Sequence, residues 1–351
     1  MLIRLYAFQR KPEINAASGR SRHRISSESG YSMKKFLAGA LACLFLIVSV
    51  SCKNDAPQTV TPGKLHVVVS LFPLYDFTRE IGGDKVDVYL LLPPGMEAHS
   101  FEPKPSDIIR ANKADLFIYT NRYMEPWAEE IISGLDTRKT LVVDSSSGAH
   151  FLRAGHTIDK GHEENGHFHE KRNGAGMDPH IWLDFANARI MADNILAGLI
   201  TKDPSHRAYY RENAERFKAR LEKLDNEYRT GLSRCTKRTF LHGGHFAFGY
   251  LAHRYSLNYE SAYAVSANAE PSPAKIARLI QQLRDKGLHY IYTEELVEPR
   301  ISRTIARETG ATILKLHGAH NISRDDLAAG ATFVSLMEKN LKNLMIGLQC
   351  R

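Results

Sequence analysis

The chain has no HExxH, no GxSxG and no glycine-rich loop of the kind that cradles phosphate. Their absence removes the usual routes to a metalloprotease, a serine hydrolase or a nucleotide-binding enzyme. Long apolar runs are missing too. The most apolar stretch, residues 36–50, falls short of the about 20 residues that a membrane-spanning helix requires. Cysteine is scarce, four in 351 residues, and only Cys235 and Cys350 lie beyond the first 52 positions. In an exported protein those two could pair, although nothing in the sequence fixes their distance.

A basic body is also lacking. The net charge is +8, but through Cys52 eight Lys/Arg face Glu13 and Glu28, a net of +6. That leaves +2 for the remainder, too balanced for the electrostatic footprint of phosphate binding, and nucleic acid is excluded as a partner.

The concentrated charge has an export signature instead. Lys34 and Lys35 form a basic start, residues 36–50 an uncharged apolar core, and Ser49-Val50-Ser51-Cys52 a small-residue end before a cysteine. This resembles a bacterial lipoprotein signal cleaved before Cys52, which would carry the lipid; Ser49 departs from the aliphatic residue usual there. The expected division is a dispensable leader or misplaced start (1–32), a signal (33–52) and a polar tether (53–64).

From residue 65 the chain alternates strand-like and helix-like segments, and after a break it does so again. Strands are expected at 65–71, 86–92, 116–119, 140–143, 239–241, 257–259, 290–292 and 312–316. Helices are expected at 73–81, 105–113, 125–135, 246–254, 273–286, 301–309 and 325–344. This rhythm predicts an α/β protein of two lobes, each a parallel sheet flanked by helices. Residues 205–232 contain no proline, and Tyr210, Phe217, Leu221, Leu224 and Tyr228 recur at helical spacing. They predict one long rigid helix joining an N-terminal lobe (65–204) to a C-terminal lobe (233–351).

Histidine is plentiful where a sheet would give way to a loop. His99 stands in PPGMEAHSFEP, His180 in MDPHIWLD, His245 in GGHFAFGY and His317 in LKLHGAHN. Neutral imidazole is a preferred zinc donor, and about four donors close a tetrahedral shell. Histidines this far apart share a site only if the fold assembles it. His242 rivals His245, and Asp184 is a candidate supporting carboxylate for His180. His66, His206, His289 and His320 are singletons without a motif. Between the first and second of these contexts, the segment 150–177 holds His156, His162, His167 and His169 among Glu and Gly, without apolar periodicity. It reads as a surface loop that gathers metal, its composition favouring zinc over calcium or magnesium.

Four landmarks in order, LLPPGMEAHSFEPKPSD, MDPHIWLD, HFAFGYLAHRY and YTEELVEPRISRTIARETGATILKL, resemble the metal-binding subunits of bacterial ABC transporters for zinc and manganese. The resemblance runs from about residue 65 to the C-terminus. It implies two α/β lobes joined by a rigid helix, with one metal in the cleft. His99, His180 and His245 fall on the family's ligand positions. The fourth ligand, commonly an Asp after the strand matching 312–316, is replaced by His317, and an all-nitrogen set suits zinc, with manganese the alternative. A permease and ATPase are the implied partners of an exported, lipid-anchored monomer. Binding is expected to weaken below about pH 6.5, since ligating imidazoles must be neutral.

Two other classes compete. A zinc hydrolase could use Glu270 or Glu294 as base, but would need the open position that His317 closes. A surface adhesin fits the lipid anchor without any sequence feature of its own.

Overall fold

The computed structural model describes residues 63–154, 176–265, 270–296 and 298–351. The leader, the signal with Cys52, nearly all of the tether, and His156, His162, His167 and His169 lie outside the described residues. No helix among those described is long and apolar enough to cross a membrane.

Two four-stranded parallel sheets repeat one topology. The first contains β1 (Leu65–Val69), β2 (Val86–Leu90), β3 (Leu116–Tyr119) and β4 (Leu141–Asp144) in the order β2-β1-β3-β4. The second contains β5 (Thr239–His242), β6 (Asn258–Ser261), β7 (Tyr290–Thr293) and β8 (Thr312–Lys315) in the order β6-β5-β7-β8. Central strands of such sheets are covered on both faces, which is why Val67, Val68 and Val69 form an unbroken buried run. In each sheet the chain reverses its direction of travel between two central strands, β1 and β3 or β5 and β7. Parallel α/β folds place ligands outside the carboxyl ends of strands at such points.

The helices are α1 (Phe72–Gly82), α2 (Pro105–Asn112), α3 (Ala128–Ser133), α4 (Phe185–Lys202), α5 (Arg207–Ser233), α6 (Gly249–Arg254), α7 (Pro273–Asp285), α8 (Arg300–Thr309), α9 (Arg324–Ala328) and α10 (Phe333–Gly347). Three differ from the sequence expectation for identifiable reasons. The single helix expected at 325–344 is two, because Gly330 takes φ +73° and Thr332 caps α10 by accepting the Ser335 N–H. The helix expected from residue 246 starts at Gly249, because the N–H groups of Phe246 and Ala247 are spent on Ala264 O and Tyr259 Oη. Helix α4 escapes periodicity altogether, its N-terminus fixed by Asp184, whose carboxylate accepts the Ala186 N–H at 2.7 Å.

Helix α5 is the joining helix, 27 residues and about 40 Å long at 1.5 Å per residue. It is not a bare strut. Tyr210, Ala214, Phe217, Leu221, Leu224, Tyr228 and Leu232 are buried along it, against α1 and α4 of the first lobe and α10 of the second. Phe77 of α1 meets Phe217 at 4.8 Å and Phe333 of α10 at 5.1 Å between ring centroids. Tyr228 donates its hydroxyl to Met337 O at 2.6 Å. The Asp76 carboxylate of α1 accepts the Phe333 N–H at the start of α10, and burial pushes its pKa up to about 7. One continuous core therefore holds both lobes against the helix, and hinge bending would have to break it.

Cys235, just past α5, and Cys350, just past α10, form a disulfide across 115 positions of chain. Closing so long a loop constrains the unfolded chain strongly. Cys235→Ser with Cys350→Ser should lower the unfolding free energy by about 2–5 kcal/mol, read from the urea midpoint. An unchanged midpoint would show that the packing of α10 on α5 suffices without the bond.

Candidate metal centre

Two ligand-bearing segments leave the carboxyl ends of β2 and β5, and a third is the turn that precedes α4; the three meet. His99 follows β2 after the break Pro93-Pro94-Gly95, with Gly95 at φ +89°. Its loop is anchored from its own lobe by Trp127, whose Nε1–H donates to Ala98 O at 3.0 Å, and by Glu97, whose carboxylate accepts the His99 N–H at 3.1 Å. His180 begins a short 3₁₀ turn, Ile181–Leu183. Asn121, after β3, donates to Pro179 O at 3.1 Å and Tyr250 donates to Asp178 O at 2.8 Å, fixing the turn from both lobes. His245 follows β5 after Gly243-Gly244, where the backbone runs too close to its neighbours for a side chain. A Cβ on Gly243 would stand 2.1 Å from Ser302 Oγ, and one on Gly244 2.4 Å from Glu294 Oε1.

The three side chains converge. One ligand atom from each of His99, His180 and His245 lies within 4.8 Å of the others, and among the described residues they form the one such grouping of three or more potential metal ligands. His180 and His245 are almost fully buried. The outer nitrogen of each is held by a carboxylate: His180 Nδ1 lies 2.8 Å from Asp178 Oδ1, and His245 Nδ1 bonds Glu294 Oε2. With Nδ1 as donor in both, their Nε2 atoms face each other at 3.3 Å as lone pairs. Two lone pairs at that distance repel unless a cation sits between them. His99 Nε2 is also buried without a partner. Carboxylate–histidine pairs of this kind orient imidazoles toward a metal and raise their basicity.

Electrostatics agree with the geometry. Burial lowers the pKa of His99 to about 4, with the neighbouring His245 adding to the effect. Burial likewise holds His180 well below the ordinary imidazole range. His245 goes the other way: burial opposes its protonation, but the Glu294 carboxylate outweighs it and raises its pKa. Burial would raise Glu294, yet His245 brings it down to about 2. Of the two facing rings, His245 therefore takes up a proton more readily than His180.

His317, expected as the fourth ligand, is not brought into the cluster. Asn340 of α10 clamps its backbone, accepting the His317 N–H at 2.7 Å and donating to His317 O at 2.8 Å. Its Nδ1 accepts the Ala319 N–H at 3.0 Å and lies 3.2 Å from Glu295 Oε1. Burial lowers its pKa to about 4, and the charges that act on it next are Asp326, Lys315 and Lys339, which lie away from the cleft histidines. Ala319 then takes φ +58°, reversing the chain, and it is His320 that turns inward. The His320 ring stands 5.3 Å from that of His245 and 6.4 Å from that of His180, with Nδ1 buried and unpartnered. In the sequence His320 is a singleton without a motif, and nothing in the HGAH stretch signals that it turns inward.

The remaining histidines have other duties. His242 is buried behind the site with Nδ1 3.2 Å from His245 O, and His253 is exposed on α6. Asp184 caps α4 and pairs with Arg254 at 2.9 Å, so it acts on the His180 segment only through the backbone. Of the two carboxylates weighed as catalytic bases, Glu294 is committed to His245 and Glu270 is exposed and paired with Arg300.

Comparison with known proteins places this geometry. The family profile described as zinc-uptake complex component A, periplasmic, matches residues 67–346. The zinc-binding lipoprotein AdcA of Streptococcus pneumoniae R6 is 33% identical over 316 residues, 89% of this chain and 60% of that protein. The chain thus spans about three fifths of the pneumococcal relative's length. The high-affinity zinc uptake system protein ZnuA of Bacillus subtilis is 34% identical over 307 residues, 87% of this chain and 94% of that protein. Among solved structures, the Zn(II)-bound ZnuA-like domain of pneumococcal AdcA aligns with a TM-score of 0.68 at 30% identity, covering 82% of this chain and 99% of that one. The laminin-binding protein Lmb of Streptococcus agalactiae, described as bifunctional with adhesin and metal-transporting activity, aligns at 0.70 and 30% identity, covering 81% and 99%.

Proposed function

The chain belongs to the family of periplasmic zinc-uptake complex component A, and from that premise we propose that it is an extracytoplasmic receptor that binds one zinc ion tightly and passes it to the permease of an ABC importer. The ion is the cargo, so the site must close around it without offering a position for chemistry; this separates the receptor from a zinc hydrolase. His99, His180 and His245 supply three nitrogens and His320 the fourth. Asp178 and Glu294 fix the rings of His180 and His245, and Glu97 and Glu294 offset the charge of the dication. Export and anchoring through a lipid on Cys52, action as a monomer, and a metal-gathering role for His156, His162, His167 and His169 complete the reading.

One observation carries the choice of ion. The His180 and His245 Nε2 atoms are 3.3 Å apart, and two tetrahedral ligands at Zn–N distances of about 2.0–2.1 Å are separated by roughly 3.3–3.4 Å. The site is thus preorganised at the span that zinc requires. An all-imidazole set also suits zinc better than manganese, which favours oxygen donors. The test is titration calorimetry after removal of metal with a chelator. One tight equivalent of zinc is expected, with manganese markedly weaker. Absence of a tight zinc equivalent, or manganese binding as tightly as zinc, would refute the assignment.

A further inference from the structure

Besides the Tyr250 bond to Asp178 O, the second lobe reaches the ligand loops of the first through a short segment, residues 317–322. Trp182, two positions past His180, donates its indole N–H to Gly318 O at 2.8 Å. Asn321, next to His320, reaches the other loop: its amide nitrogen donates to Met96 O at 2.5 Å and to Pro93 O at 3.1 Å, 225 and 228 positions earlier in the chain. Its Oδ1 accepts the Ile322 N–H at 2.7 Å, so both donors and one acceptor site are used, and the residue is fully buried. The turn that it grips, closed by the Met96 N–H on Pro93 O at 3.1 Å, leads directly into His99. Met96 itself is 46% exposed on the outer side of that turn.

The segment that makes this contact is strained. Ala319 is a non-glycine residue in the left-handed region, a conformation that persists only where its surroundings hold it. It aims His320 at the cleft and Asn321 at the His99 turn together. The lobes, by contrast, have little freedom to swing, since both are packed along α5. An ion leaving the cleft therefore has to escape past a loop.

We propose that Asn321 is a positioning residue for ion release, the tether that holds the His99 loop shut across the lobe boundary. Breaking its two bonds to Pro93 and Met96, with the lobes otherwise still, is the step that limits departure of the metal. This rests on the reading that the histidine cluster holds an ion. It assigns release to a single side chain that bonds neither the ion nor a ligand side chain.

Zinc-loaded protein mixed rapidly with excess fluorescent chelator measures the release rate directly. Asn321→Ala leaves two buried carbonyl oxygens without their donor, and release should accelerate by about tenfold or more. Association should stay within about twofold, because the ligands and their carboxylates are untouched. A variant that was merely less stable would lower the unfolding midpoint and leave the release rate alone, which would overturn the proposal, as would release at the parent rate. Absence of a tight zinc site in the parent would sink the metal-centre reading and this proposal with it. Should Asn321→Ala fail to fold, hydrogen exchange on the zinc-loaded parent decides. The N–H groups of Met96 and Ile322, one on each side of the tether, should open at one common rate, and distinct rates would contradict a shared latch.

Discussion

His180→Ala should weaken zinc binding by about a hundredfold to a thousandfold while the single-site stoichiometry persists. Structural zinc sites with four ligands bind with about 10–16 kcal/mol, so one donor carries roughly a quarter of that, and a decade of affinity is about 1.4 kcal/mol. His180 is the ligand to choose because its loss disturbs little else. Its backbone N–H still bonds Asp178 at 3.0 Å, and the freed carboxylate, already pushed up to about 7 by burial, can take a proton instead of remaining an unpaired charge. Two companion substitutions locate the fourth donor. His320→Ala should lose affinity in the same direction, because its ring centroid stands 5.3 Å from that of His245 and 6.4 Å from that of His180. His317→Ala should bind zinc as the parent does, because that ring serves its own segment, accepting the Ala319 N–H and lying beside Glu295. Competition titration against a chelator of known affinity reads all three. A loss in His317→Ala equal to that in His180→Ala, with His320→Ala silent, would return the fourth position to His317.

That pair of histidines also marks where the sequence stopped being readable. His99 and His245 were legible because each follows a strand end and chain-breaking Pro or Gly, and His180 because Pro179 breaks the chain just before it. The joining helix was legible from spacing alone. Between His317 and His320 the chain must reverse, and it does so at Ala319, a residue type that gives no hint of a positive φ. Local pattern therefore does not show which of the two rings turns toward the other histidines. The supporting carboxylates divide in the same way. Asp178 lies two residues from its histidine, whereas Glu294 is 49 positions from His245 and meets it only because β7 lies beside β5. Helix α4 was missed for a third reason: Phe185, Ala188, Met191, Ala192, Ile195 and Leu199 are buried on it, but further apolar residues surround them, so no polar face stands out. Sequence patterns record faces and turns; they do not record which strands become neighbours.

Acidification should weaken zinc binding by about one decade per pH unit once the pH falls below the raised pKa of His245. Four ordinary histidines would all begin to protonate near 6.5 and give a much steeper loss. The buried rings do not behave so. His99 is lowered to about 4, and His180 and His320 are also held below the ordinary value, in each case chiefly by burial. His99 thus stays neutral and ready to ligate at mildly acidic pH, and His180 and His320 are shifted in the same direction. His245 is the exception, since Glu294 raises it despite its burial. The sign follows from the competing ions. Below the raised pKa the metal-free site holds one proton on His245, zinc must displace it, and each pH unit of added acidity costs one factor of ten. Above that pKa no proton is displaced and the affinity levels off. Glu294→Gln removes the charge that raises His245, so burial should then lower that ring like its neighbours and flatten the pH dependence. The same substitution should cost about 10–100-fold in affinity at neutral pH through loss of ring orientation and basicity. Calorimetry in two buffers of different ionisation enthalpy counts the protons released per zinc. The parent should release close to one at pH 6 and the Glu294→Gln protein close to none. Two or more from the parent would mean that the buried rings carry protons the geometry denies them.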